Sequence, residues 1–426
     1  MRQPKIDAQR LWDTLMALAA IGATPGGGVC RLALSDDDRR ARDQLVRWCE
    51  QAGCRIETDA VGNLFARRAG HDPRAAVVMS GSHLDTQPNG GRFDGAYGVI
   101  AALEVLRALD DAAVQTARPF ELVVWSNEEG TRFAPAMMGS MAFAGLLGEE
   151  EVLARTDADG LRYGDELARI GCRGSGLANR RIAAYFEAHI EQGPVLERER
   201  CTIGVVTGGQ GQRWYDLRLS GSAAHAGSTP MAGRRDALLG AARVIEAARR
   251  IATAHGEGRA TVGELHLAPH SRNVVPGEVR MTLDIRHPDD TLRDAMDAQL
   301  QAAVREAAAA EGLDFRLDPV LLQPATPFDA GCIERVRDAA RREGLAQLDI
   351  VSGAAHDAVA IARIAPVGMI FVPCAGGISH NEAESATPED LAAGCQVLLR
   401  ALLGACGHFA ATAPRATNTV AETCTP

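Results

Sequence analysis

AAVVMSGSHLDTQPNGGRFDGAYGV, residues 75–99, is the stretch whose reading decides the fold. It opens on a short apolar run, Ala75–Met79, bounded by turn residues, which predicts a buried strand. Residues 95–109 follow as a helix, with Val99, Leu103 and Leu106 on one face. Phe120–Trp125 (FELVVW) predicts the next buried strand. Strand, helix, strand, with polar residues gathered just after each strand, is the pattern of an α/β sheet. Such sheets bind ligands at the carboxyl ends of their strands.

Working outward, residues 7–20 and 36–53 have apolar positions at helical spacing. Ser35 and the acids after it mark the start of the second of these helices. Pro25, Gly26, Gly27 and Gly28 form a loop between the two. Near Gly211 the pattern changes. Residues 213–220 alternate like a half-exposed strand, 233–255 read as a helix, 261–268 and 278–287 as strands, 290–311 as a helix and 313–321 as a last strand. That order, β-α-β-β-α-β, is the order of a ferredoxin-like unit. The α/β pattern then resumes, with a strand at Val367–Val372 and a helix at 389–405. The expected organisation is a discontinuous α/β domain, residues 1–210 and 327–426, with a smaller α+β domain, 211–326, inserted into it. Residues 411–426, rich in Ala, Thr and Pro, are expected to fray.

Composition narrows the chemistry. At roughly 150 residues per domain, 426 residues allow two or three domains. A formal net charge of −10 and a pI near 5.6 argue against a nucleic-acid or anionic-membrane partner. Lys5 is the only lysine among 45 basic residues, and it stands in a polar stretch without a motif. A Schiff-base lysine, a Gly-Lys-Ser/Thr phosphate loop and a Ser-x-x-Lys nucleophile are therefore excluded. Gly-x-Gly-x-x-Gly, Gly-x-Ser-x-Gly and His-Glu-x-x-His are missing as well. The ten cysteines (Cys30, Cys49, Cys54, Cys172, Cys201, Cys332, Cys374, Cys395, Cys406 and Cys424) are scattered and form no Cys-x-x-Cys. They read as reduced, mostly buried thiols. The N-terminus has no apolar core segment of the signal-peptide kind, and no apolar run is long enough to span a bilayer. These features point to the cytoplasm.

What remains is a set of polar clusters after the predicted strands. They are Gly81–Thr86 with His83 and Asp85, Gly90–Gly95 with Asp94, Asn127–Gly130 with Glu128 and Glu129, Glu187–Gly193 with His189, and Gly377–Asn381 with His380. Each is weak by itself, since a lone histidine near a strand end is more often structural and a Glu-Glu pair more often solvated. Together, imidazoles and carboxylates without thiolate suit two divalent ions, zinc or else manganese, cobalt or nickel. A carboxylate such as Asp94 can bridge them, and two ions about 3.5–4 Å apart then share a hydroxide nucleophile. One of Glu128 and Glu129 can ligate while the other takes the water's proton, because neighbouring side chains on a turn diverge. In His83-x-Asp85 the acid is placed to orient the imidazole.

At this point the chain resembles the M20-type dinuclear metallohydrolases, in the hydantoinase/carbamoylase branch. The matching stretches run in order: GSHLDTQPNGGRFDGAYGV (81–99), NEEGTRF (127–133), HIEQGPVLE (189–197), AHAGSTPM (224–231), RRDAL (234–238), NVVPG (273–277), DIRH (284–287), SGAAHDA (352–358) and MIFVPCAGGISHNEAE (369–384). The resemblance implies that His83, Asp94 and His189 hold one metal and Asp94, Glu129 and His380 the other. It implies that Glu128 is the general base and that His225 stabilises the oxyanion, from its own chain or from a partner subunit. Gln212, Asn273 and Arg286 match positions that bind the substrate carboxylate and ureido group, with Gln192, Gly353 and Ala354 beside them. Taken alone, Arg286 reads as a surface salt bridge, although a guanidinium suits a carboxylate. The inserted domain matches the family's lid and dimerisation domain, so a homodimer is implied.

Ala355 stands where the family often has glycine in the SGAAHDA loop. His356 and Asp357 read equally as substrate-near groups or as a helix start. His71, His255, His266, His270, His287 and His408 read as structural or exposed. The implied reaction is metal-dependent cleavage of the ureido C–N bond of a small carboxylate, foremost an N-carbamoyl-L-amino acid, by a metal-bridging hydroxide. Allantoate or ureidoglycolate amidohydrolase and β-ureidopropionase activities are the near alternatives. An aminoacylase or dipeptidase of the same family, or an inactive binding homologue, are the remoter ones.

Overall fold

The computed structural model describes residues 3–409. Segment 411–426, with Cys424, and the side chain of His408 lie outside the described residues. The chain separates into two units, one of residues 1–205, 329–348 and 360–426 and one of residues 206–328 and 349–359.

The first unit is built on a mixed sheet. Its strands lie in the order Arg55–Thr58, Leu64–Arg68, Phe120–Trp125, Val77–His83, Ile182–Ile190, Val367–Val372. The last four run parallel to one another, and the first two extend the sheet antiparallel. Strands covered on both faces read as continuous apolar runs, which is why FELVVW and VGMIFV are buried throughout. The strand expected at 75–79 starts at Val77 and runs on to His83, buried along its whole length. Its polar half, Ser80–His83, is strand as well. Ser82 is tolerated inside because its hydroxyl donates to Glu187 Oε1 at 2.7 Å. The helices Ala8–Ala19, Ala96–Asp111, Ala330–Arg342 and Pro388–Cys406 share one apolar core with the sheet. Ser35 accepts the Asp38 amide and so caps the helix Asp36–Gln51, with three acids in its first turn where the helix dipole favours them.

The second unit has the strands Gly211–Ser220, Glu278–His287 and Asp314–Gln323 and the helices Ala237–Ala254 and Asp290–Ala310. Gly211–Ser220 lies between the other two long strands, antiparallel to both. The strand expected at 261–268 is two pieces, Arg259–Thr261 and Leu265–Ala268, both on Glu278–His287. Thr261 pairs with Asp284 and Leu265 with Met281, so one extra residue is accommodated between them, as in a bulge. Chain order and sheet order are those of a ferredoxin-like α+β unit. Tyr215, Leu217, Leu219, Met281 and Leu283 on one sheet face meet Ala241, Val244, Met296 and Leu300 of the helices.

The sequence-based boundary at 326/327 leaves out a piece of this unit. Residues 349–359 belong with it because backbone and side chain tie them there. The Gln210 amide donates to Ser352 O at 3.0 Å, and Arg286 Nη1 donates to Gly353 O at 2.8 Å. Such distant pairing leaves no trace in local periodicity. Among the described residues the cysteines are free thiols, six of the nine buried. No helix there is long and apolar enough to cross a membrane.

Candidate metal centre

The carboxyl ends of the four parallel strands carry the candidate site. His83 is the last residue of its strand and His189 the last but one of the next. Glu128 and Glu129 lie on the turn after Trp125, and His380 on the loop after Val372. Asp94 comes from the turn that enters the helix Ala96–Asp111. Residues separated by almost three hundred positions thus meet because four strands share one direction.

His83, Asp94 and His189 form one group of close ligand atoms, and Asp94, Glu129 and His380 another. Asp94 Oδ1 lies 3.2 Å from His189 Nε2 and 3.7 Å from His83 Nε2. Its Oδ2 lies 3.2 Å from His380 Nε2. His380 Nε2 is 3.5 Å from Glu129 Oε2, and His83 Nε2 is 3.5 Å from Glu128 Oε2. The adjacent glutamates therefore diverge, one toward each group. Asn127, just before them, has φ 54°, a left-handed conformation that turns the chain between the strand and the pair.

The imidazoles of the first group are held from behind. His83 Nδ1 lies 2.8 Å from Asp85 O and His189 Nδ1 2.9 Å from Ile190 O. Each Nδ1 thereby carries its proton toward a carbonyl, and Nε2 faces Asp94. This corrects the expected role of the Asp85 carboxylate. It is the main-chain carbonyl of Asp85 that orients His83. The carboxylate accepts the amides of Glu128 at 3.2 Å and Glu129 at 3.1 Å, fixing the glutamate turn instead. Gly95 is required by packing: a Cβ there would lie 2.4 Å from the His83 ring, and its φ is +63°.

Charge in the pocket matches a cation. Burial opposes ionisation of His189, but its hydrogen bond to Asp94 and that carboxylate's charge prevail, and its pKa rises to about 9. The hydrogen bond to Asp94 raises His380 to about 9 against some burial. Burial, then the charge of Asp94, pushes Glu129 up to about 7. Asp94 stays well below the usual carboxylate range because the bonds to His189 and His380 outweigh its burial. The buried carboxylates draw protons onto His189, His380 and Glu129, and a divalent cation would displace those protons on binding. Glu129 Oε1 is buried without a hydrogen-bond partner, an oxygen for which a cation is the natural partner. The donor set, imidazole and carboxylate without thiolate, fits a divalent metal.

Three neighbours escaped the sequence reading. Gln87 Nε2 donates to Glu129 Oε2 at 2.7 Å. Glu384 accepts the amides of Phe93 and Asp94 at 2.9 and 3.1 Å, and the Ser379 hydroxyl at 2.8 Å. Gln, Ser and Glu are common on surfaces, and nothing in their spacing sets these apart; only the folded loops bury Glu384 and half-bury Gln87 and Ser379. Gln192, expected at the substrate, donates from Nε2 to Asp94 Oδ2 at 3.0 Å and to Ser379 Oγ at 3.2 Å.

The remaining expected residues belong to the second unit. Arg286 gives Nε and Nη2 to Asp284, at 3.0 and 2.7 Å, and Nη1 to Gly353 O. The ion pair that its sequence alone suggested is thus present. Gln212 pairs in register with Arg286 and bonds Gln323 through Nε2 at 3.2 Å. The Ala354 amide donates to Ser352 Oγ. His225 Nδ1 accepts the amides of Gly227 and Ser228, both at 3.1 Å, so a neutral ring carries its proton on Nε2. Ala226 N donates to Asn273 O at 2.9 Å, which keeps His225 beside Asn273. Asn273 is therefore not grouped with Gln212 and Arg286. The pair Gln212–Arg286 marks one end of the two central strands and Ser220–Glu278 the other. Eight residues of strand separate them, about 25 Å at roughly 3.3 Å per residue. His255 Nδ1 bonds Ile251 O at its own helix end and His287 Nε2 bonds His255 O, main-chain contacts of the structural kind.

The sequence profile of peptidase family M20/M25/M40 matches residues 79–404. The chain is 45% identical over 401 residues to an N-carbamoyl-L-amino-acid amidohydrolase of Rhizobium meliloti, covering 94% of this chain and 96% of that one. It is 41% identical over 406 residues to an N-carbamoyl-L-amino acid amidohydrolase of Geobacillus stearothermophilus, covering 92% and 97%. A crystal structure of a hydantoinase/carbamoylase family amidase from Burkholderia multivorans superposes with a TM-score of 0.91 at 53% identity, covering 95% of this chain and 98% of that one. The chain therefore belongs to the peptidase M20/M25/M40 family, in its hydantoinase/carbamoylase branch.

Proposed function

We propose that this protein hydrolyses the ureido C–N bond of an N-carbamoyl-L-amino acid to the amino acid, carbon dioxide and ammonia, with two divalent cations per subunit, zinc foremost. The observation that supports it best is the divided carboxylate of Asp94, whose Oδ1 faces His83 and His189 and whose Oδ2 faces His380. In this reading His83, Asp94 and His189 hold one cation, and Asp94, Glu129 and His380 the other. Bound there, the cations supply a Lewis acid for the carbonyl and a water acidic enough to ionise near neutral pH.

The residues do the rest. Glu128, 7% exposed, accepts the water's proton on its carboxylate and returns it to the leaving nitrogen. Asp85 keeps Glu128 in line through the amide it accepts. Gln192 and Gln212 orient the ureido group, with Gly353 and Ala354 beside it. Arg286, steadied by Asp284, offers its remaining N–H groups to the substrate carboxylate. His225 presents Nε2–H to the developing oxyanion. His225 and Asn273 follow the Ser220–Glu278 end of the two central strands, about 25 Å of strand from the end that carries Gln212 and Arg286, so one small substrate is not expected to reach both sets within one subunit. This supports a homodimer in which the partner supplies the former. The scattered free thiols support a reducing compartment such as the cytoplasm.

Ammonia release over a panel of N-carbamoyl-L-amino acids, allantoate, ureidoglycolate, β-ureidopropionate and N-acetyl amino acids, with metal-reconstituted enzyme, tests the proposal. An N-carbamoyl-L-amino acid is expected to give the highest kcat/KM. Faster turnover of allantoate or ureidoglycolate would move the substrate within the branch. No turnover of any ureido compound would overturn the activity.

A further inference from the structure

We infer that Glu384 is the positioning residue that sets the spacing of Asp94 and His380, and with it the affinity of the second cation site. The inference rests on the two-cation reading above.

Glu384 is 1% exposed, yet its carboxylate satisfies donors from two separate chain segments. Oε1 accepts the amides of Phe93 and Asp94, and Oε2 accepts the hydroxyl of Ser379, the neighbour of His380. One carboxylate therefore ties the turn that carries Asp94 to the loop that carries His380. Gln192 closes the same ring from the other side, donating to both Asp94 Oδ2 and Ser379 Oγ. The seat is shaped for the carboxylate: a Cβ on Gly91 would lie 2.0 Å from Glu384 Cδ. Thr24, just before the loop Pro25–Gly28, contributes a second brace by donating its hydroxyl to Glu382, two residues before Glu384.

The two ends of the tie are unequal. The turn of Asp94 is also the start of a helix, with Tyr97 N on Phe93 O at 2.9 Å. His380 has no such support: it lies in a loop at φ 54°, and its side chain is 50% exposed. Releasing Glu384 should therefore free His380 far more than Asp94. Glu384 touches none of the reacting groups directly, so its effect must pass through the residues it holds.

Calorimetric titration of metal-free enzyme with Zn2+, compared with Glu384→Ala, Ser379→Ala and Glu384→Gln, tests this. Partners that orient metal ligands are typically worth 10–100-fold in affinity. Glu384→Ala is expected to weaken the second cation by that factor and the first by less than about threefold. Ser379→Ala should move the second site in the same direction by less. Glu384→Gln keeps an acceptor for the two amides and should recover part of the loss. A purely structural role would lower the melting temperature of the metal-free protein and weaken both sites equally, and that pattern would overturn the inference. So would two wild-type affinities in folded Glu384→Ala. If the wild-type protein itself binds fewer than two cations, the two-cation reading fails instead.

Discussion

The cluster of His83, Asp94 and His189 and the cluster of Asp94, Glu129 and His380 share a carboxylate but stand on different foundations. The first is carried by strand ends. Its imidazoles are nearly inaccessible, at 2% and 1% exposure, and each Nδ1 is pinned by a main-chain carbonyl. The second leans on loops and on side-chain braces from Gln87 and Glu384, with His380 half exposed. A ligand fixed by the sheet costs no ordering when a cation arrives, whereas a loop ligand must be ordered at that moment. The first site should therefore fill first and tightest, and the second should govern how activity depends on metal supply.

The adjacent glutamates give the sharpest test, since each faces one cluster. Glu128→Gln should keep both cations and lose about 10²–10⁴-fold in kcat, measured as ammonia release beside metal content. Wild-type turnover would remove Glu128 as the base. Glu129→Gln should instead lower metal content toward one per subunit.

Removing the histidines compares the clusters directly. His380→Ala should leave one tight cation at the buried cluster. His189→Ala should lose the tight site and with it most bound metal, by elemental analysis after dialysis. Equal losses in both variants would erase the distinction drawn between strand and loop.

Acidity separates them next. Metal-free His189 and His380 both titrate at about 9, so a cation entering at neutral pH must displace a proton from each site. Affinity should fall as pH drops below about 9, by roughly tenfold per unit for each proton displaced. Glu129, raised to about 7, adds a second proton to the loop cluster below that pH, so its affinity should fall more steeply. The sign for the metal-free fold is opposite. Pairing of the protonated imidazoles with Asp94 is fully stabilising below their ordinary pKa and is lost as pH rises through about 9. Calorimetry between pH 6 and 9 checks this, and pH-independent affinity at both sites would contradict it.

The smallest effect is expected away from the metals. Arg286→Lys keeps the charge but loses the fork, and should raise KM by about tenfold with kcat little changed. An unchanged KM would take Arg286 out of the substrate site.

Much of this was legible in sequence, for physical reasons that vary by residue. His83, Asp94, Glu128, Glu129, His189 and His380 stood out because each sits among small or turn residues just after an apolar run. Glu384 and Gln87 did not, since their partners come from other segments. The role of Asp85 was half legible. Its place beside His83 was visible, but which of its oxygens, main-chain or side-chain, meets the imidazole depends on how the strand ends. The strand at Val77–His83 was cut short because Ser80, Gly81 and Ser82 look like a turn until Glu187 is known to receive Ser82.

By itself the sequence determined the class of chemistry. One lysine, no reactive motif of serine or cysteine and a recurring set of histidines and carboxylates leave metal-assisted hydrolysis as the coherent choice. It also determined the alternation of units, because hydrophobic periodicity is local. Only the tertiary structure decided which of those groups meet. Parallel strands need long crossovers, so the residues at their ends are far apart in sequence; the shared strand direction brings those ends together, and the braces on the turn and the loop place Asp94 between His189 and His380. Likewise only the fold places Gln212 at one end of the central strands of the second unit and His225, on a separate ribbon with Val274, past the other end, a separation that no local pattern encodes.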